Sequence, residues 1–175
     1  MRDGRDQAFS AFMTARHLSL LRTARLLTGS GQQAEDLTQE ALLRTYRAWH
    51  RIGQVEAAEA YTRTTMVRLL IKDRRRRWHA EVPAPQLPEV ALPGHEDVTA
   101  TAMAVRTVLR TLPPKQRAVL VLRYYHQLGE QEIAGVLGCS PGTVKSRAAR
   151  ALAALRDGGA LTAVTSEHDW SSDRD

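Results

Sequence analysis

The side chains best placed to do chemistry in this sequence are hydroxyls and guanidinium groups at helical spacing, and the chemistry they suit is nucleic-acid binding. The stretch "SPGTVKSRAAR" (140–150) opens on Ser140, a good helix N-cap. Pro141 follows, where a missing N–H is harmless because that group would be unpaired in any case. At about 3.6 residues per turn, Val144, Ala148, Leu152 and Leu155 line one side of the predicted helix. Thr143, Ser146, Arg147 and Arg150 line another. Upstream, "GEQEIAGVLGC" sets Ala134 four residues before Gly138, and Val144 follows six beyond. A small residue permits close helix approach, a glycine permits a left-handed turn, and a buried valine anchors the second helix. This spacing predicts a helix-turn-helix whose second helix enters a major groove. Arg147 is the candidate fork onto a guanine edge, a contact worth about 1–3 kcal/mol of discrimination. Thr143, Lys145 and Ser146 suit phosphates or single base contacts, and Arg150, one turn on, suits phosphate.

A second candidate surface lies in "AAEAYTRTTMVRLLIKDRRRRW" (57–78). Tyr61, Thr64, Thr65, Arg68, Lys72 and Arg75 project on a common side, with Met66, Val67, Leu70 and Ile71 on the other. The ring can stack an unpaired base, the hydroxyls can meet base or sugar, and the cations can hold phosphates. The run Arg74–Arg77 extends that field, although cations at a helix end also suit the helix dipole.

The preceding helix, "QAEDLTQEALLRTYRAWH", has an apolar arc of Ala34, Leu37, Ala41, Leu42, Ala48 and Trp49. Its other face collects Asp36, Gln39, Glu40 and Arg47 around Leu43. An apolar anchor ringed by polar groups can dock on a partner helix, but single exposed leucines are also common. Periodicity alone leaves both readings open. Enzyme chemistry has little support: His17, His50, His79, His95, His126 and His168 are scattered, and no nucleophile-base spacing or metal-ligand cluster is legible. No cofactor or metal is expected.

The elements that must position these faces are helical throughout. The chain has 175 residues, 43% of them hydrophobic and 5% aromatic, with a formal net charge of +6. The charge is segregated. Residues 1–79 hold 15 Lys/Arg against 8 Asp/Glu, and residues 100–157 hold 9 against 3. Between them, residues 80–99 hold none against 4, and the tail 158–175 holds 1 against 4. Two basic modules joined by an acidic connector favour a polyanionic partner. The connector "AEVPAPQLPEVALPGHEDV" carries four of the seven prolines and reads as an extended, flexible linker.

The fold expected is all-α: two small helical domains joined by that linker, the second containing the helix-turn-helix. The first block should hold about four helices. Its stripe of Phe9, Phe12, Met13, Leu20, Ala24 and Leu27 should face the core, and Ser30 with Gln33 should cap the next helix. The second block should hold four, over about 97–111, 114–126, 130–137 and 141–156. Lone Cys139 excludes an internal disulfide and fits a reducing compartment, where it packs in the turn. With no long apolar run and no secretory signal, a soluble cytoplasmic protein without membrane insertion is expected.

Two stretches make a family resemblance specific. "AEDLTQEALLRTYRAW" is similar to the second-region motif of extracytoplasmic-function (ECF) sigma factors, the compact branch of the bacterial sigma-70 family. "LPPKQRAVLVLRYYHQLGEQEIAGVLGCSPGTVKSRAARALAALR" resembles their fourth region. The resemblance implies a sigma factor without catalysis of its own, binding core RNA polymerase through its clamp coiled-coil and flap, and promoter DNA. Asp36, Gln39, Glu40 and Leu43 would meet the clamp. The loop around 52–59 and the helix carrying Tyr61, Thr64, Thr65, Arg68, Lys72 and Arg75 would recognise and melt the −10 element. Thr143, Lys145, Ser146, Arg147 and Arg150 would read the −35 element, and the linker would thread toward the RNA exit path. Many relatives carry Asn where this chain has Leu69. In such relatives an anti-sigma factor often covers the polymerase-binding faces. The implied organisation is region 2 over 6–79, linker over 80–98, region 4 over 99–157 and a disordered acidic tail over 158–175. Competing readings are a stand-alone regulator, which would not need the Asp36–Leu43 face, and a nucleic-acid enzyme.

Overall fold

A computed structural model describes residues 2–52, 54–79 and 100–158, with side chains between 4 and 72 and from 101 on within those ranges. The connector 80–98, the tail beyond 158 and the Arg75 side chain lie outside the described residues. Every described element is helical. The first block folds as three helices, α1 (Arg2–Thr28), α2 (Gly31–Ile52) and α3 (Val55–His79), rather than the four expected. Nothing in the stretch "RDGRDQAFSAFMTARHLSLLRTARLLT" breaks α1, since its Gly4 is tolerated near the helix start. The second block has α4 (Ala100–Arg110), α5 (Pro114–Leu120), α6 (Glu130–Leu137) and α7 (Pro141–Asp157), close to the expected spans.

Local chemistry sets the helix ends. Gly29 adopts φ 74, closing α1 with its N–H donating to Arg25 O at 2.8 Å. Ser30 Oγ then accepts from Gln33 N–H at 3.3 Å, the expected cap of α2. Gly129 N–H donates to Glu132 Oε2 at 2.8 Å at the start of α6. Gly138, at φ 61 and ψ 45, ends α6 in the left-handed region, as the turn requires.

Phe9, Phe12, Leu20, Ala24 and Leu27 face inward as the spacing predicts, but Met13 is exposed. It follows Phe12 directly and so points about 100° away from it around the helix. The few aromatics are concentrated where α1 meets the end of α2. Phe9 stands edge-on to Tyr46 at 5.0 Å and to Trp49 at 5.2 Å between centroids. Arg5 lies over the Tyr46 ring at 4.4 Å. α2 and α3 are joined by a polar contact that the apolar pattern did not mark. Thr45 and Thr62, both 0% exposed, place their hydroxyls 2.8 Å apart. Each also reaches the carbonyl one turn back, at Ala41 and Ala58, so neither is buried unpaired.

The segment "AVLVLRYY" is helical, as expected, but α5 widens into a π-helical turn over Val121–Tyr125. His126 N–H reaches back to Val121 O at 3.2 Å, and Gln127 exits at φ 55. A left-handed glutamine is strained by about 1–2 kcal/mol. The widened turn leaves Tyr124 and Tyr125 exposed and aims His126 at the first block.

The two blocks do not stand apart. Arg117 of α5 is 5% exposed and donates through Nη1 to Leu27 O at 2.9 Å and Thr28 O at 3.0 Å, the last carbonyls of α1. Through Nη2 it holds Leu112 O at 3.1 Å and Arg110 O at 3.3 Å in its own block. A cation at a helix C-terminus satisfies carbonyls that have no partner in the helix and complements its dipole. Beside it, a Cβ at Gly29 would collide with the methylenes of Arg110, so glycine permits both the turn and the approach of α4.

Candidate polymerase and nucleic-acid interfaces

On α2, Asp36, Gln39 and Leu43 are exposed and Glu40 is half-buried, all on the side turned away from the core. Leu43 leaves 45% of its surface exposed, next to a Glu40–Arg44 ion pair of 2.7 Å. Gln32 donates to Asp36 Oδ1 at 3.2 Å one turn earlier. The buried side of the same helix, Ala34, Thr38, Ala41, Leu42 and Thr45, fixes the rotation that presents this face. Burial therefore distinguishes Leu43 from Leu42, which periodicity alone could only suggest.

On α3, Tyr61, Thr64, Thr65, Arg68 and Lys72 line one cavity of about 240 Å³. Arg44 from α2 and Leu69 complete its wall, and neither was among the expected site residues. Arg44 is reached only through the packing of α2 on α3, so no spacing along α3 could have marked it. Tyr61 is 41% exposed, and its carbonyl accepts from Thr65 Oγ1 at 2.8 Å. The opposite side, Met66 and Val67, is fully buried. α3 begins at Val55, so residues 55–59 of the expected loop are helical. "VEAAEA" contains no breaker, and Gln54 O accepts from Ala58 N–H at 2.9 Å to start the helix.

Arg68 is not free in its cavity. Its Nε donates to Val136 O at 3.3 Å and its Nη2 to Gly135 O at 3.2 Å, near the C-terminus of α6. His126 also bridges the blocks. Thr23 Oγ1 donates to Ser19 O at 3.0 Å, so its contact with His126 Nε2, also 3.0 Å, assigns the proton to Nε2. Nδ1 is then left to accept from Arg63 Nη1 at 3.4 Å. Burial first, and the Arg63 cation second, lower the His126 pKa to about 4, so the ring is neutral at physiological pH.

In the second block, Ser140 Oγ accepts from Thr143 N–H at 3.2 Å, and Pro141 stands at the first helical position. Val144, Ala148, Ala151 and Leu155 form the buried side of α7. Lys145, Ser146 and Arg150 are exposed, and Thr143 is half-buried with its Oγ1 2.9 Å from Ser140 Oγ. Arg147 is less exposed than Lys145, Ser146 and Arg150. It is half-buried, and its Nη1 donates to Cys139 Sγ at 3.4 Å, folding the guanidinium back over the turn. A side chain this long must swing outward by rotamer change to reach a base. Cys139 is half-buried against the core, as expected of a small packing residue in the turn.

Among the described residues no three His, Cys, Asp or Glu side chains converge to hold a metal, and no helix is long and apolar enough to cross a membrane. What the described residues offer is one exposed face centred on an apolar residue, one hydroxyl- and cation-lined cavity and one capped basic helix in a helix-turn-helix. The profile "Sigma-70 region 2" matches residues 12–80, and "Sigma-70, region 4" matches residues 102–155. The RNA polymerase sigma-E factor of Streptomyces avermitilis is 40% identical over 157 residues, covering 90% of this chain and 88% of that protein. The ECF RNA polymerase sigma factor SigM of Mycobacterium tuberculosis is 32% identical over 148 residues, 85% of this chain and 75% of that one. The fold matches the sigma factor RpoE of Bartonella quintana, solved in complex with the anti-sigma factor NepR. That match has a TM-score of 0.65 at 21% identity and covers 89% of this chain and 98% of that one.

The chain belongs to the ECF branch of the sigma-70 family. It is a promoter-specific initiation factor that works with core RNA polymerase, in a family of generally non-catalytic regulators.

Proposed function

We propose that the three faces divide the work of initiation. Asp36, Gln39, Glu40 and Leu43 seat the factor on the polymerase clamp coiled-coil. Tyr61, Thr64, Thr65, Arg68 and Lys72, with Arg75 beyond the described side chains, capture the −10 element as it opens. Thr143, Lys145, Ser146, Arg147 and Arg150 read the −35 element. Melting needs no reaction at the factor itself, because holding an unstacked base offsets an opening cost of a few kcal/mol. The working units are 6–79 and 99–157, with the acidic 80–98 segment running along the polymerase between them and 158–175 as an appended tail. The factor acts in the cytoplasm, has no catalytic activity of its own, and offers its clamp-binding face to any anti-sigma protein that regulates it.

The observation that carries this reading is Leu43, 45% exposed and ringed by polar groups while the other side of α2 is fully packed. Burying such an anchor at an interface centre contributes about 1–2 kcal/mol or more, and replacing it with a charge reverses the sign. The purified chain is expected to co-elute with bacterial core polymerase and to support run-off transcription. Leu43→Asp should lose co-elution with an unchanged thermal melt. Failure of the parent chain to bind any core polymerase, or undiminished binding by Leu43→Asp, would remove the assignment.

A further inference from the structure

We infer that the cavity between α2 and α3 selects the base it captures: a thymine, admitted by its O4 acceptor and C5 methyl, with Leu69 as the specificity-determining residue. This rests on the proposed capture of the −10 element in that cavity and goes beyond it by naming the base. Two ridges at four-residue spacing line the α3 side. Tyr61, Thr65 and Leu69 form one, and Thr64, Arg68 and Lys72 form the other. The first ridge carries a ring 41% exposed for stacking, a hydroxyl and an aliphatic surface. Thr65 spends its hydroxyl proton on Tyr61 O at 2.8 Å, so it offers a ligand lone pairs alone. The second ridge and Arg44, facing it from α2, carry cations that can only donate. Glu40 Oε1 accepts from Arg44 Nε at 2.7 Å, which orients the guanidinium and leaves its Nη groups unspent. Arg68 adds charge, although its Nε and Nη2 already donate to Val136 O and Gly135 O. No carboxylate lines the cavity among the described residues.

An unstacked base presents its pairing edge to the walls that hold it. Thymine shows O4 and O2 acceptors with an N3–H donor between them, which the cationic donors and the Thr65 oxygen complement. Cytosine and adenine put an amino group where thymine has O4, and against Arg44 or Lys72 that group meets another donor. A polar group left unmatched in such a site costs more than a matched one returns. Guanine offers O6 but carries an N2 amino group and no methyl. Leu69 then reads the methyl beside O4. It is half-buried, packed on the core of its block, and is the one aliphatic residue of the described wall. Apolar contact with the C5 methyl separates thymine from uracil, which shares every polar atom of its edge.

The test assembles the full-length chain with core polymerase, with core alone as the blank. Short homopolymers of deoxythymidylate, deoxyuridylate, deoxycytidylate and 5-methyldeoxycytidylate compete against a fluorescent oligonucleotide. Homopolymers hold the phosphate contacts and the register constant, so only the base varies. Thymine should bind at least about tenfold tighter than cytosine, the size of one matched edge contact. It should bind about fourfold tighter than uracil, the worth of one buried methyl. 5-Methylcytosine should gain no more than that methyl factor over cytosine. Leu69→Asn should bring the thymine-to-uracil ratio to about one, and Leu69→Met, which keeps an apolar contact, should preserve it. Retained helical circular dichroism qualifies both variants, and if Leu69→Asn unfolds, the four homopolymers on the parent chain decide. Equal binding of thymine and cytosine, equal binding of thymine and uracil, or an unchanged ratio in folded Leu69→Asn would each overturn the inference while leaving the cavity as a DNA site. If no homopolymer binds above core alone, the −10 assignment of the cavity falls and this selectivity falls with it.

Discussion

Ser140 holds the first turn of the helix assigned to the −35 element, and its contribution can be separated from DNA contact. Its backbone is extended, at φ −75 and ψ 154, while its Oγ accepts from Thr143 N–H at 3.2 Å. Thr143 Oγ1 lies 2.9 Å from the same oxygen, and Ser146 Oγ donates to Thr143 O at 3.1 Å, so the cap orders three of the hydroxyls on this face. Ser140→Ala removes that acceptor, with a cost of about 1 kcal/mol and a range of about 0.5–2. For a chain of this size the melting temperature should fall by about 2–4 °C. Occupancy of a promoter carrying the upstream element should fall with it. Ser140→Asp separates the two effects. An aspartate caps as well as serine and complements the helix dipole, so the melting temperature should return. Its charge sits where a DNA phosphate would approach, so promoter occupancy should stay low and fall further at low salt. Melting and fluorescence anisotropy on the three proteins measure both quantities. An unchanged melting temperature in Ser140→Ala, or no recovery in Ser140→Asp, would refute the assignment of the serine as a cap.

Two further outcomes follow from buried groups. Thr45 and Thr62 have two hydroxyl protons for three oxygen contacts. Either single change to Val therefore leaves the partner bonded to its own carbonyl and costs about 1 kcal/mol, and the double change should cost clearly less than the sum in a urea double-mutant cycle. An additive cycle would show that the hydroxyl pair itself carries no coupling. His126 has a pKa of about 4 in the folded chain, against about 6.5 when exposed. Its contribution to the stability of the folded chain is thus complete above about pH 6.5 and is lost as pH falls toward 4. Arg63 on α3 is the charged group facing the ring, with Thr23 on α1 and the Tyr125 ring beside it. The unfolding equilibrium constant in urea should rise below pH 6.5 by less than tenfold per unit through this group, since one proton is involved and solvent screens the half-exposed ring. His126→Gln should flatten that dependence, and a slope unchanged by the substitution would place the titrating group elsewhere.

The local chemistry of this chain is written in neighbouring residues and was legible there. Ser140 with Pro141, Gly138 with Val144, and Ser30 with Gln33 act over a few bonds, so spacing alone predicts the caps, the left-handed turn and the helix-turn-helix. The exposed side of α2 around Leu43 and the hydroxyl-cation side of α3 follow from the same helical period. The misses are also local in origin. Met13 lies one position off the axis of its apolar stripe, and the loop that the family resemblance implies over 52–59 is already helical from Val55.

Only the tertiary structure decided how the two blocks meet. Arg117 in "PKQRAVL" has the composition of an ordinary basic helix, yet its guanidinium is buried because four carbonyls from two blocks converge on it. The helical faces of Arg68 and Arg147 give no sign that one turns to α6, far along the chain, or that the other folds back on Cys139 across the turn. The widened turn at Val121–Tyr125 and the burial of His126 likewise have no spacing signal. A helical period reports which side of a helix is apolar. It carries no information about which carbonyls, 67 to 90 residues away, will be available to a long cationic side chain.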